Sequence, residues 1–141
     1  MDAFDVVIPT SKNVEETHFS ICYTLRSILA QSVQPQNIYV VENVPNTGVK
    51  EQVNHYFGDL VKVIDGLRKP VNIAYARNLG VQRTKSDIII FMDDDVVFDI
   101  NSFYLLFDFL TQVDEENRDR PVAGRMFCMD RPNIQYTAAE K

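Results

Sequence analysis

With 141 residues, 45% of them hydrophobic and 24% charged, the chain is long enough for one domain with a real core and too apolar for disorder over most of its length. Its net charge of −6 disfavours a nucleic-acid partner, whose phosphates call for a basic face. The two cysteines, Cys22 and Cys128, form no Cys-x-x-Cys pair and have no His at metal spacing; they read as buried thiols, which suits a reducing cytoplasm.

In chain order, the acidic N-terminus Met1 to Asp5 does not read as a signal peptide. Phe4 to Ile8, closed by Pro9-Thr10-Ser11, predicts a first strand. Thr17 to Gln31 carries Ile21, Leu25, Ile28 and Leu29 on one helical face, with Glu15 and Glu16 near its positive end. Asn37 to Val41 predicts a second strand and Pro45-Asn46-Thr47-Gly48 a turn. Val49, Val53, Tyr56 and Phe57 repeat the helical spacing, and Gly58 follows as a stop signal. Leu60 to Ile64 is a third strand, and Asn72 to Thr84 a third helix with small Ala76 and Gly80 on one face. Asp87 to Met92 is apolar on both faces, the pattern of a central strand in a parallel sheet. Ser102 to Gln112 predicts a helix with Phe103, Leu106, Phe107 and Leu110 in register. Asp114 to Arg120 reads as a solvated loop and Val122 to Met129 as a final strand.

The alternation predicts an α/β fold over residues 1–141, a single domain whose doubly wound, mostly parallel sheet has helices on both faces. Ligands of such sheets bind outside the carboxyl ends of the strands. The longest strictly apolar run, Ile88 to Met92, falls far short of the ~20 residues of a spanning helix. The expected location is therefore cytoplasmic, with a peripheral membrane contact still compatible.

Asp93-Asp94-Asp95 directly follows the most apolar strand. Three carboxylates there repel one another, and desolvation adds to the cost. A divalent cation is the natural compensation, because Mg²⁺ and Mn²⁺ take oxygen ligands and bridge carboxylates to phosphates. A bare Asp triplet is also compatible with a solvated loop that caps the next helix. Arg77 lies on the helix before that strand and offers paired donors to a diphosphate, although alone it reads as a surface cation. Glu42 ends the second strand, placed to accept from a ligand or simply to face solvent. His18 and His55 lack metal spacing, and the five glycines form neither a Rossmann nor a P-loop pattern.

Taken in order, these segments resemble the nucleotide-sugar-binding half of family-two, GT-A-fold inverting glycosyltransferases. Val6-Val7-Ile8-Pro9-Thr10 is similar to that family's opening strand, and Leu25 to Ser32 to its first helix, which ends near a Gln. Tyr39-Val40-Val41-Glu42-Asn43 is similar to its second strand, Ala76-Arg77-Asn78-Leu79-Gly80 to its Ala-Arg-Asn-x-Gly helix, and Phe91-Met92-Asp93-Asp94-Asp95 to its Asp-x-Asp strand end. The resemblance implies that Pro9, Thr10, Ser11, Glu42, Arg77, Asp93 and Asp94 contact a UDP- or GDP-linked sugar. It also implies that Asp95 and Asp93 hold Mn²⁺ or Mg²⁺, which neutralises the leaving diphosphate as the sugar passes to an acceptor hydroxyl.

Three departures stand out. Glu42 replaces the usual Asp, Asn72 stands where Gly is usual, and about 45 residues follow Asp95, with none matching the family's downstream catalytic base. The expectation is a donor-binding half, truncated relative to a full GT-A domain. The alternative is a non-catalytic nucleotide-sugar-binding or assembly module, motivated by the 101–112 helix, which is apolar nearly all round and suits self-association or a partner. A nucleotidyltransferase is disfavoured because Pro9-Thr10-Ser11-Lys12-Asn13 contains no glycine.

Overall fold

The computed structural model describes residues 3–15, 20–66 and 72–112, and the backbone of Met126–Phe127 and Gln135–Tyr136. Four parallel strands, β1 (Phe4–Thr10), β2 (Asn37–Glu42), β3 (Lys62–Asp65) and β4 (Ile88–Phe91), form one sheet in the order β3-β2-β1-β4. Four helices, α1 (Ile21–Leu29), α2 (Val49–Phe57), α3 (Ile73–Val81) and α4 (Ser102–Gln112), cover it.

The order explains which helix lies where. The chain steps outward from β1 to β2 to β3 through α1 and α2, then returns through α3 to β4 on the other side of β1. Right-handed crossovers in opposite directions place their helices on opposite faces. Accordingly, Phe4, Val6 and Ile8 of β1 share one core with Leu25 and Ile28 of α1, Val53 of α2 and Phe103 and Phe107 of α4. Val7 packs on the other face with Tyr39, Val41 and Ala76 of α3. The doubly wound expectation holds.

Side chains set the helix starts. Ser20 accepts the Cys22 amide at 3.2 Å and starts α1 at Ile21, later than the expected Thr17; residues 16–19, including Glu16, lie outside the described residues. Asn72 is extended, with φ −136°, and its Oδ1 accepts the Ala74 and Tyr75 amides at 2.9 and 3.2 Å. Its value is thus as a cap. Gln31 clamps the entry to α4: its Oε1 accepts the Phe103 amide at 3.0 Å and its Nε2 donates to the Asp99 carbonyl at 2.6 Å.

Two strand expectations change. Among the described strands β4 lies at the sheet's edge, pairing with β1 alone, and Phe91 is 45% exposed. The innermost positions belong to β1, which is buried along its whole length, and β2. The expected strand 122–129 is described only as β5 (Met126–Phe127), antiparallel to β6 (Gln135–Tyr136) in a separate two-stranded sheet. The rest of that span and the 114–120 loop lie outside the described residues. On α4, Phe103 and Phe107 are buried, whereas Tyr104, Leu105 and Phe109 are exposed.

A Cβ on Gly80 would lie 2.3 Å from Val7 Cγ1, so α3 sits on β1 with no room for a methyl group. Gly80→Ala gains helix propensity of roughly 0.5–1 kcal/mol but incurs overpacking of about 1–3 kcal/mol. Net destabilisation is expected in urea denaturation, and an unchanged midpoint would refute the close approach.

Near the amino end of β1, Asp5 is fully buried and accepts from Asn37 Nδ2 (2.8 Å) and the Lys85 and Ser86 amides (3.0 and 3.4 Å). Burial alone would raise its pKa, but these hydrogen bonds outweigh it and hold the carboxyl below its ordinary 3.8. The stabilisation is therefore complete above the unfolded-state value and is lost as pH falls through the depressed folded one. Asp5→Ala should cost about 1–3 kcal/mol at pH 7. The deficit should shrink below pH 4 in denaturation series, and a pH-independent deficit would exclude this linkage.

Candidate functional site

The strand order reverses direction between β1 and β4, and a crevice opens beyond the carboxyl ends of strands at such a switch point. β1 ends there with Thr10. On the β4 side the Met92 amide still bonds the Val7 carbonyl at 3.1 Å before Asp93, Asp94 and Asp95 follow.

The three acids part company. Asp94 turns inward and is 8% exposed, whereas the Asp93 and Asp95 side chains are 55% and 49% exposed. Thr10 Oγ1 donates to Asp94 Oδ2 at 2.6 Å. Lys12 Nζ reaches Asp94 Oδ1 at 2.8 Å and Asp95 Oδ2 at 2.6 Å. The buried Thr24 of α1 donates to the Asp94 carbonyl at 3.0 Å. Burial alone would lower the Lys12 pKa; the hydrogen bonds and charges of Asp94 and Asp95 raise it above 10.5 and keep the ammonium charged. The compensation demanded by clustered carboxylates thus comes partly from within the chain. A small pocket beside this group is lined by Thr10, Lys12, Val14, Ile21, Gln52 and Asp94, among others.

Arg77 NH2 lies 3.8 Å from Asp93 Oδ1, and its guanidinium stands 5.9 Å from the Phe91 ring centroid. This half-exposed pair contributes little to stability. The buried Arg77 Nε has no hydrogen-bond partner among the described residues.

At the end of β2, Glu42 is buried and accepts the Thr47 hydroxyl, whose oxygen in turn accepts the Val49 amide at 3.2 Å. The glutamate therefore closes its own loop rather than facing the crevice unengaged. Its neighbour Asn43 bonds the Thr10 carbonyl at 2.8 Å through its amide, while its buried Oδ1 is unpartnered among the described residues. The loops after β1 and β2 are stitched together where the Val14 amide donates to the Thr47 carbonyl at 2.9 Å. Gly48 then takes φ +76°, and a Cβ there would lie 2.7 Å from Val14 Cγ2.

Among the expected site residues, Thr10, Asp94 and Asp95 meet; Asp93 pairs with Arg77 instead; Pro9 is buried within β1 and Ser11 is exposed. Lys12 and Asn43 were not expected in the site. A lysine two residues past a strand end, facing an acidic triplet on the neighbouring strand, is the signal for the first. Among the described residues no three acidic, His or Cys side chains group tightly enough to hold a metal ion. Asp95 still offers a half-exposed carboxylate at the rim. That oxygen is already paired with Lys12, and a hard cation would take it only together with further oxygens such as substrate phosphates.

A family model described as glycosyl transferase family 2 matches residues 5–130. No curated protein matches the sequence. Similar solved structures include S. aureus TarS 1-349, with a TM-score of 0.64 and 20% identity over 78% of this chain and 32% of that one. The same TarS region in complex with UDP gives a TM-score of 0.59, again at 20% identity over 78% of this chain and 32% of that one. A structure of S. aureus TarS gives 0.60 at 20% identity over 78% and 20%. The chain spans a third or less of the length of these structures, and at this identity they establish a shared fold.

Thr10→Val keeps the strand's shape but leaves Asp94 Oδ2, in a buried setting, without its donor. A loss of about 1–3 kcal/mol in folding stability is expected by chemical denaturation. An unaltered transition would show that the Thr10–Asp94 bond does not hold the strand ends together.

Proposed function

The chain belongs to glycosyl transferase family 2, and we propose that it binds the nucleoside-diphosphate sugar from which that sugar passes, with inversion, to an acceptor hydroxyl. The observation that carries this reading is the Thr10–Asp94–Lys12–Asp95 group at the switch point of a parallel sheet. TarS, of like fold, is seen with UDP, which makes UDP the first donor nucleotide to test here, with GDP second.

In this proposal the nucleoside lies over the ends of β1 and β2, where the unpartnered Asn43 Oδ1 accepts a hydrogen bond from it. Glu42 and Thr10 frame that position, and Pro9 and Ser11 shape the turn. As the acceptor oxygen displaces the diphosphate from the anomeric carbon, negative charge develops on the diphosphate. Arg77, whose Nε is free of partners among the described residues, is the nearby cation with paired donors for it. Asp95, with Asp93, would hold Mn²⁺ or Mg²⁺, which when bound supplies Lewis-acid neutralisation of the leaving group. Asp94, already satisfied by Thr10 and Lys12, keeps the rim in shape and presents its edge to the ribose.

Calorimetric titration of UDP and GDP, with and without Mn²⁺, tests the reading. Mn²⁺ should strengthen UDP binding, and Asp95→Asn should weaken the Mn²⁺-supported binding by about tenfold or more, roughly 1.4 kcal/mol. Absence of binding by either nucleotide would sink the donor assignment. Equal affinity of wild type and Asp95→Asn with Mn²⁺ would remove Asp95 as the metal ligand.

A further inference from the structure

We infer that Phe91 is the platform that aims Arg77 at the diphosphate: its ring face covers the buried Nε and leaves the terminal nitrogens to the crevice rim. The inference rests on the diphosphate reading of Arg77 above. Phe91 is the register partner of Val7, the residue on which Gly80 of α3 sits. Register partners on parallel strands point to the same face of the sheet, so the ring stands on the α3 side, beside that helix. Arg77, one turn before Gly80, places its Cζ 5.9 Å from the ring centroid, within reach of a cation–ring contact.

Without the ring, little fixes the guanidinium. NH2 lies 3.8 Å from Asp93 Oδ1, and the two side chains are 41% and 55% exposed, so water competes with one long contact. Nε is buried and has no hydrogen-bond partner among the described residues. A buried donor calls for an acceptor, and the face of Phe91 is the electron-rich surface beside it. With Nε turned inward, the terminal nitrogens stay free to meet phosphate oxygens side by side. Phe91 belongs to neither core cluster and is half-exposed, so core packing does not account for an aromatic at this strand end. It is a positioning residue that acts through Arg77.

Nitrogen–proton NMR of the Arg77 Nε–H in the isotope-labelled 141-residue chain, with calorimetry of UDP binding, tests this. The ring should hold the Nε proton upfield of its position in Phe91→Leu. Phe91→Leu should weaken UDP binding about two- to fivefold, the range of an exposed cation–ring contact. Phe91→Tyr, which keeps the ring, should match wild type in both readouts, and Phe91→Met replaces Phe91→Leu if the latter folds poorly. In an Arg77→Gln background, Phe91→Leu should change nothing further, whereas a merely structural ring would cost the same affinity in both backgrounds. Wild-type UDP affinity in Phe91→Leu, or an equal loss in the Arg77→Gln background, overturns the proposal, as does an Nε proton that Phe91→Leu does not move. A ring-shifted Nε proton without any UDP binding by the wild type would instead uphold the seating of Arg77 on Phe91 and count against the donor reading.

Discussion

A carboxylate that is almost dry must be answered by donors, and the burial of Asp94 organises the rest of the site around that requirement. Thr10 and Lys12 answer its side chain, and Thr24 answers its carbonyl. Those partners come from the end of β1, the loop beyond it and α1, so one residue ties three segments to the end of β4. Beyond the end of β4 the chain turns at Asp94 and Asp95, and with Asp94 turned in, Asp93 and Asp95 face out. One faces Arg77 and the other the tip of Lys12. The open crevice, the half-exposed acids and the nearby cations all follow from that single inward turn.

The sheet supplies the frame on which this depends. β1 is flanked on both sides and covered on both faces, so its end is the best-fixed point of the switch region. The close seat of Gly80 on Val7 brings α3 down onto β1, and Arg77 is carried one turn earlier on the same helix. The Asp5 cluster fixes the segment entering β4 from below. The acids are thus presented by a strand anchored at both ends, as a site that must hold charge in a set place requires.

Much of the fold was legible because its signals are local. The apolar spacing of Ile21, Leu25 and Ile28, the run Ile38 to Val41 and the small face of Ala76 and Gly80 each report what covers them. The rank of β4 in the sheet was not legible. An apolar run records burial by helices on either face, whereas being central or at the edge depends on hydrogen-bond pairing, which the run does not encode. The Asp triplet was legible as an acidic cluster at the sheet's carboxyl ends, but its pairing with Lys12 was not, since a lysine past a strand ordinarily reads as solvated and its partners lie 82 and 83 residues away. Glu42 shows the converse: its strand-end position suggested an open acceptor, and Thr47, five residues on, engages one of its oxygens, a bond the strand pattern does not encode. Asn43 went unread because an asparagine after a strand ordinarily signals a turn; its buried, unpartnered oxygen is a three-dimensional fact.

The stitch between the two crevice loops has a consequence for how such a chain can vary. Surface connections usually absorb inserted or deleted residues at little cost. Here the Val14–Thr47 bond and the side-chain-free contact at Gly48 lock the two connections to each other as well as to the strands. Adding or removing one residue between Ser11 and Val14, or between Glu42 and Gly48, would slide the lysine or the buried asparagine out of register. Length changes compatible with the site are therefore displaced to connections remote from this rim, and the spacing within these two loops becomes as much a part of the site as the side chains themselves.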